Sequence, residues 1–126
     1  MDGIYGTIEE VPNGCSKKGY RRIICDGAVY FWRVGEDADS PCVVLDVISE
    51  KKQLILTCPL GTGVYYVISK GRLFQNQPAN GCCSRYRLPF DVPDAVTPRF
   101  VARLIDWAIR GRDAAQVKWD GAGIIV

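Results

Sequence analysis

The chain has six cysteines and no histidine, and that pairing decides most of the chemistry open to it. Without an imidazole there is no Ser-His-Asp or Cys-His catalysis, no His-ligated metal and no ordinary switch near neutral pH. A zinc site built from cysteine alone needs pairs separated by about two to four residues. Cys15, Cys25, Cys42, Cys58, Cys82 and Cys83 supply no such pair, so neither a metal nor a cofactor is expected. Cys25, Cys42 and Cys58 lie in or beside apolar runs, where a thiol behaves as a small hydrophobe. The adjacent Cys82 and Cys83 could be bridged only with backbone strain. They follow "PANG" and precede Arg85, which makes them the candidates for a reactive thiol. Such a nucleophile would need help from a lysine, a carboxylate or a helix terminus, so the chain reads as non-catalytic.

The second group of chemical interest is basic and aromatic. Arg21, Arg22, Tyr30, Trp32 and Arg33 fall within "YRRIICDGAVYFWRV", and Arg85 and Arg87 alternate in "CSRYRL". Arginines interleaved with stacking rings are what single-stranded nucleic-acid binders display. The competing reading makes Tyr30 and Trp32 core side chains, with the Arg21 stem covering their rim. Asp46 interrupts the apolar run "VVLDVIS", so it either faces solvent or sits partnered in a polar pocket. Arg99, Arg103, Asp106 and Arg110 share one helical face, where spacings of three and four make local ion pairs the default. "GTG" at 61–63 and "DGAG" at 120–123 complete no phosphate-binding pattern and read as turns. The acidic loop with Glu36, Asp37 and Asp39 lacks a calcium-loop pattern.

The elements that position these groups follow from turn and period signals. Asp-Gly between β-branched and aromatic residues is a type I′ hairpin signature, because both turn residues need positive φ. It sets Cys25 opposite Ala28, Ile23 opposite Tyr30 and Arg21 opposite Trp32. Alternation then gathers Arg21, Ile23, Cys25, Ala28, Tyr30, Trp32 and Val34 on one face, and Arg22, Ile24, Val29, Phe31 and Arg33 on the other. "CVVLDVIS" and "LILTC" around "SEKKQ" read as a second hairpin. "VYYVIS" and "RLF" around Lys70-Gly71 read as a third. "CCSRYRL" reads as a further strand.

In "VTPRFVARLIDWAIRGRD" Thr97 suits an N-cap, Pro98 the first helical position and Gly111 a C-terminal stop. Phe100, Val101, Leu104, Ile105, Trp107, Ala108 and Ile109 fill one arc of that helix, as on a helix laid against a sheet. After it "VKWDGAGIIV" reads as extended, with 121–126 free to pair.

The chain has 126 residues, 48% of them hydrophobic and 24% charged. That is one domain, able to bury roughly 65–70% of its unfolded surface. Residues 1–19 read as an arm or an edge strand, and 20–126 as a single α+β domain. The class is a mainly antiparallel sheet of hairpins with one C-terminal amphipathic helix on a face. Sixteen basic against fourteen acidic side chains leave a net charge of +2, too near neutral to indicate nucleic acid by itself. The N-terminus has no basic or apolar signal region, and no apolar run nears the ~18 residues of a span. The chain therefore reads as cytoplasmic, away from the membrane, with reduced thiols.

"IICDGAVYFWRV" and "AVTPRFVARLIDWAI" together resemble a family of short uncharacterised bacterial proteins. Those proteins carry a strand, an Asp-Gly turn and a Y-x-W strand, then a late V-T-P-x-x-V-x-x-x-I helix. Members often follow the helix with Gly-Trp and a proline, whereas here "RGRDAAQVKW" stands. The resemblance implies an antiparallel sheet with one C-terminal helix, and no activity. The function expected from the whole is a protein-interaction module, contacting a partner or itself. The alternatives are nucleic-acid or anionic-ligand binding through the arginine and aromatic set, and a thiol enzyme.

Overall fold

The computed structural model describes residues 9–11, 19–37, 42–63, 65–75, 77–78, 84–112, 115–119 and 124–125. Asp26 and Gly27 both have positive φ, 56° and 81°, as a type I′ turn requires. They join β2 (Arg21–Cys25) to β3 (Ala28–Glu36) in the expected register, Cys25 facing Ala28 and Arg21 facing Trp32. β4 (Val43–Ser49) and β5 (Ile55–Pro59) form the second hairpin. β1 (Glu9–Val11) pairs with β2. β6 (Tyr66–Ser69) lies against β5 and against β9 (Ser84–Arg87). β10 (Ala115–Trp119) pairs with β9, and β11 (Ile124–Ile125) with β10. The result is an antiparallel nine-stranded sheet in the order β1-β2-β3-β4-β5-β6-β9-β10-β11. A separate two-stranded ladder joins β7 (Leu73–Phe74) to β8 (Gln77–Pro78).

Helix α1 (Pro98–Arg110) covers one face of the sheet. Thr97 caps it, its hydroxyl accepting from the Phe100 N–H at 3.2 Å, with Pro98 at the first position. The arc read from the sequence is the buried one, with Ala102 added and Ile109 only half-buried at its edge. It packs on Ile23, Cys25, Tyr30, Trp32, Leu45, Val47, Leu56, Cys58 and Val67, which together form the core. The fold is therefore α+β, as the residue pattern implies. None of the described helices is long and apolar enough to cross a membrane.

Three local expectations give way to other physics. Lys70 and Gly71 make no hairpin: Gly71 lacks the positive φ that such a turn needs, and β6 does not pair with β7. The chain instead runs on along the leading end of β5, with Lys70 N–H on the Ile55 carbonyl at 2.9 Å and Arg72 N–H on that of Gln53 at 2.8 Å. Gly111 does end the helix, but at φ −64°, outside the left-handed region. Its requirement is space, since a Cβ there would meet the Gln75 amide and lie 2.6 Å from the Trp107 carbonyl. Finally, the terminal segment already joins the sheet, with Ile124 and Ile125 opposite Trp119 and Lys118, so as the last strand in the order it has only its outer edge left for a partner. Residues 121–123 and 126 lie outside the described residues.

Gln75 explains how the β7–β8 ladder meets the helix. It sits between the strands in the left-handed region, at φ 51°, and is buried. Its N–H bonds to the Ala108 carbonyl at 2.6 Å and its side-chain amide to the Trp107 carbonyl at 3.2 Å. The Ala108 carbonyl, in the last turn of α1, is thus satisfied from outside the helix, and the Trp107 carbonyl, which already accepts from the Gly111 N–H at 2.9 Å, gains a second donor.

Candidate interaction surface

The arginines and rings singled out in the sequence do not share a face. Tyr30 and Trp32 are 5% and 4% exposed, so both are core. The Arg21 guanidinium lies 5.4 Å from the Trp32 ring centroid, over its outer rim, in the cation–π arrangement that the register dictates. Arg22, Arg33, Arg85 and Arg87 belong to the opposite face of the sheet. Arg33 and Arg85 stand in one cross-strand row with Asp46, Thr57 and Ile68 between them. Four strand spacings separate them, about 19 Å.

Asp46 has the arginine partner that the sequence left open. Arg33 faces it across the β3–β4 ladder with Nη1 3.6 Å from Oδ2, and the buried Thr57 hydroxyl donates to Oδ1 at 2.9 Å. The Arg33 guanidinium also covers the Tyr20 ring at 5.9 Å. It packs over Gly35, where any side chain would strike it. Burial and the Asp46 charge push the Tyr20 hydroxyl up, with Arg33 acting against them. This network satisfies its own charges and hydrogen bonds, and so ties β3, β4 and β5 together.

The thiols fall into two kinds. Cys82 and Cys83 lie outside the described residues. Cys42 is exposed, whereas burial pushes Cys58 up to about 12, and burial followed by the Asp106 charge pushes Cys25 up to about 11. Unfolded thiols ionise near about 8.5. Above that pH the unfolded chain binds fewer protons than the folded one, so stability is full below it and falls as pH rises toward the folded values. Urea midpoints at pH 7.5 and pH 10 are expected to show the fall, and Cys58→Ala to remove part of it. A midpoint unchanged over that range would contradict the burial of these thiols.

One surface was not anticipated. Val34, Val43 and Tyr65 are 44%, 43% and 39% exposed, although Val34 and Val43 alternate onto the helix-covered face. Val43 accepts from the Leu60 N–H at 3.0 Å and Tyr65 from the Leu88 N–H at 3.0 Å, which sets these apolar groups along one end of the sheet. Glu36 and Asp37 stand at the β3 side of that end. At the other side Phe90, two residues past Leu88, lies beneath the Arg103 guanidinium at 4.3 Å. The signal was present in the element lengths. A 13-residue helix spans about 20 Å and the nine-residue β3 about 30 Å, so α1 cannot cover every inward position.

Comparison with protein-family models, with curated proteins and with solved structures finds no match to this chain.

Proposed function

We propose that the chain is a non-catalytic interaction module whose partner is a second copy of itself, joined across the uncovered end of the helix-bearing face. The observation that carries this reading is the group of exposed apolar side chains, Val34, Val43 and Tyr65, where the helix stops short. Charge favours a second copy as the occupant. One end of the patch is acidic, with Glu36 and Asp37, and the other carries Arg103. A two-fold contact in antiparallel sense sets acid on base twice, the self-complementarity that closed dimers need. Binding of nucleic acid or another anion ranks second, because the rings meant for stacking, Tyr30 and Trp32, are buried.

Sedimentation equilibrium tests the reading. The wild-type chain is expected to dimerise at micromolar to tens of micromolar concentration. Val43→Arg is expected to leave it monomeric with an unchanged melting temperature, since Val43 is already exposed. Glu36→Arg is expected to weaken the dimer, and Arg103→Glu added to it to restore part of the affinity. A monomer at a hundred micromolar, or a dimer indifferent to Val43→Arg, would overturn it.

A further inference from the structure

Two cavities adjoin at the opposite end of the sheet, of about 260 and 210 Å³. Ala28, Tyr30 and Ile109 line both. The larger opens between the β2–β3 turn and the segment joining β4 to β5, with Leu54 and Leu73 in its wall. The smaller lies between Cys25–Asp26 and the last turns of α1. An apolar cavity of about 150 Å³ suffices for one benzene-sized ring, so either chamber has room for such a group.

The polar groups say what else the occupant carries. Asp26 and Asp106 border the smaller chamber together with Arg110, which is ion-paired to both. One guanidinium against two carboxylates leaves negative charge in excess. In the larger chamber Glu50 and Lys51 balance each other. Tyr30 is 5% exposed and lies in the wall of both chambers. The neighbouring Cys25 thiol stays protonated at neutral pH and adds no charge.

We infer that this paired cavity is a binding site for a small amine with a ring-sized apolar body, its cationic nitrogen directed to Asp106 and Asp26 and its body against Tyr30 and Ile109. The site is independent of the self-association surface, at the other end of the same strands.

The test is an amide chemical-shift titration of the whole chain with benzylamine, run beside benzoate. Benzylamine is expected to move the amides of Cys25, Ala28, Tyr30 and Ile109, with a Kd in the millimolar range, as suits so small a ligand. Benzoate, of the same size and opposite charge, is expected to bind about tenfold more weakly or worse. Asp106→Asn is expected to weaken benzylamine by a similar factor at unchanged helical circular dichroism. Ala28→Leu, at a position with room for the change, is expected to block binding while leaving the melting temperature close to wild type. Absence of shifts at 20 mM benzylamine, shifts confined to other residues, equal response to benzoate, or indifference to both variants would each overturn the assignment.

Discussion

Gly71→Ala is expected to lower the melting temperature by roughly 10–15 °C, a loss on the order of 3 kcal/mol. The backbone of Gly71 lies directly against that of the β4–β5 connection. A Cβ there would fall on the Gln53 carbonyl and 2.8 Å from the Ile55 nitrogen. Both are main-chain atoms, so neither can move aside as a flexible side chain could. Relief requires the strand to shift, and three hydrogen bonds shift with it: Lys70 N–H to Ile55, and Arg72 and Leu73 N–H to Gln53, at 2.9, 2.8 and 3.1 Å. Each contributes about 1 kcal/mol, and buried polar groups left without partners add to the cost. Gly61→Ala is the control. Gly61 has φ 69° and nothing within 4 Å, so only the backbone cost of about 1–2 kcal/mol applies there. Equal losses at the two positions would mean that the close approach at Gly71 is not what the chain depends on.

The same glycine marks where the residue pattern stops being informative. Asp26-Gly27 could be read directly, because a two-residue turn of that composition has one favoured geometry and fixes every pair along β2 and β3. Thr97-Pro98 was equally readable, since the cap and the first helical position are local requirements. Arg21 over Trp32 followed from that register alone. Lys70-Gly71 looked like another turn only because glycine between two apolar runs is ambiguous: it supplies either positive φ or the absence of a side chain. Here it supplies the second, and the reason lies near Gln53, a segment distant in sequence. Gln75 is a similar case, since its role is set by a helix end some thirty residues away. The alternation placed Val34 correctly on the helix side. What it could not show is where the cover ends, which depends on how far α1 reaches across strands longer than itself. The arginines were scattered by the same arithmetic, one residue of offset sending Arg21 and Arg22 to opposite faces.

Trp107→Ala is expected to cost about 3–5 kcal/mol, the range for deleting a large buried aromatic side chain. Trp107 joins three parts of the molecule, the helix, the β7–β8 ladder and the segment after β9. Its ring meets Phe74 of β7 edge-on at a centroid distance of 5.4 Å and Phe90 at 6.2 Å. Phe74 in turn stacks on Tyr86 of β9 at 4.4 Å, and Phe90 meets Phe100 at 6.0 Å. Removing the indole therefore takes the common partner from two ring contacts and opens a void where the helix, the β7–β8 ladder and the segment after β9 converge. With a urea dependence of about 1–2 kcal/mol per molar, the unfolding midpoint should fall by about 2–3 M. Trp107→Phe should recover half or more of the loss, because a ring remains between Phe74 and Phe90. Hydrogen exchange distinguishes a general loss from a local one. The Gln75 N–H, held on the Ala108 carbonyl, should exchange faster in Trp107→Ala by more than the change in global stability explains, since Phe74 no longer anchors the ladder beneath the helix. Protection at Gln75 that falls only in step with the core amides of Leu45 and Leu56 would show that β7 is held by the sheet instead, and that the aromatic cluster is a consequence of its position rather than the cause.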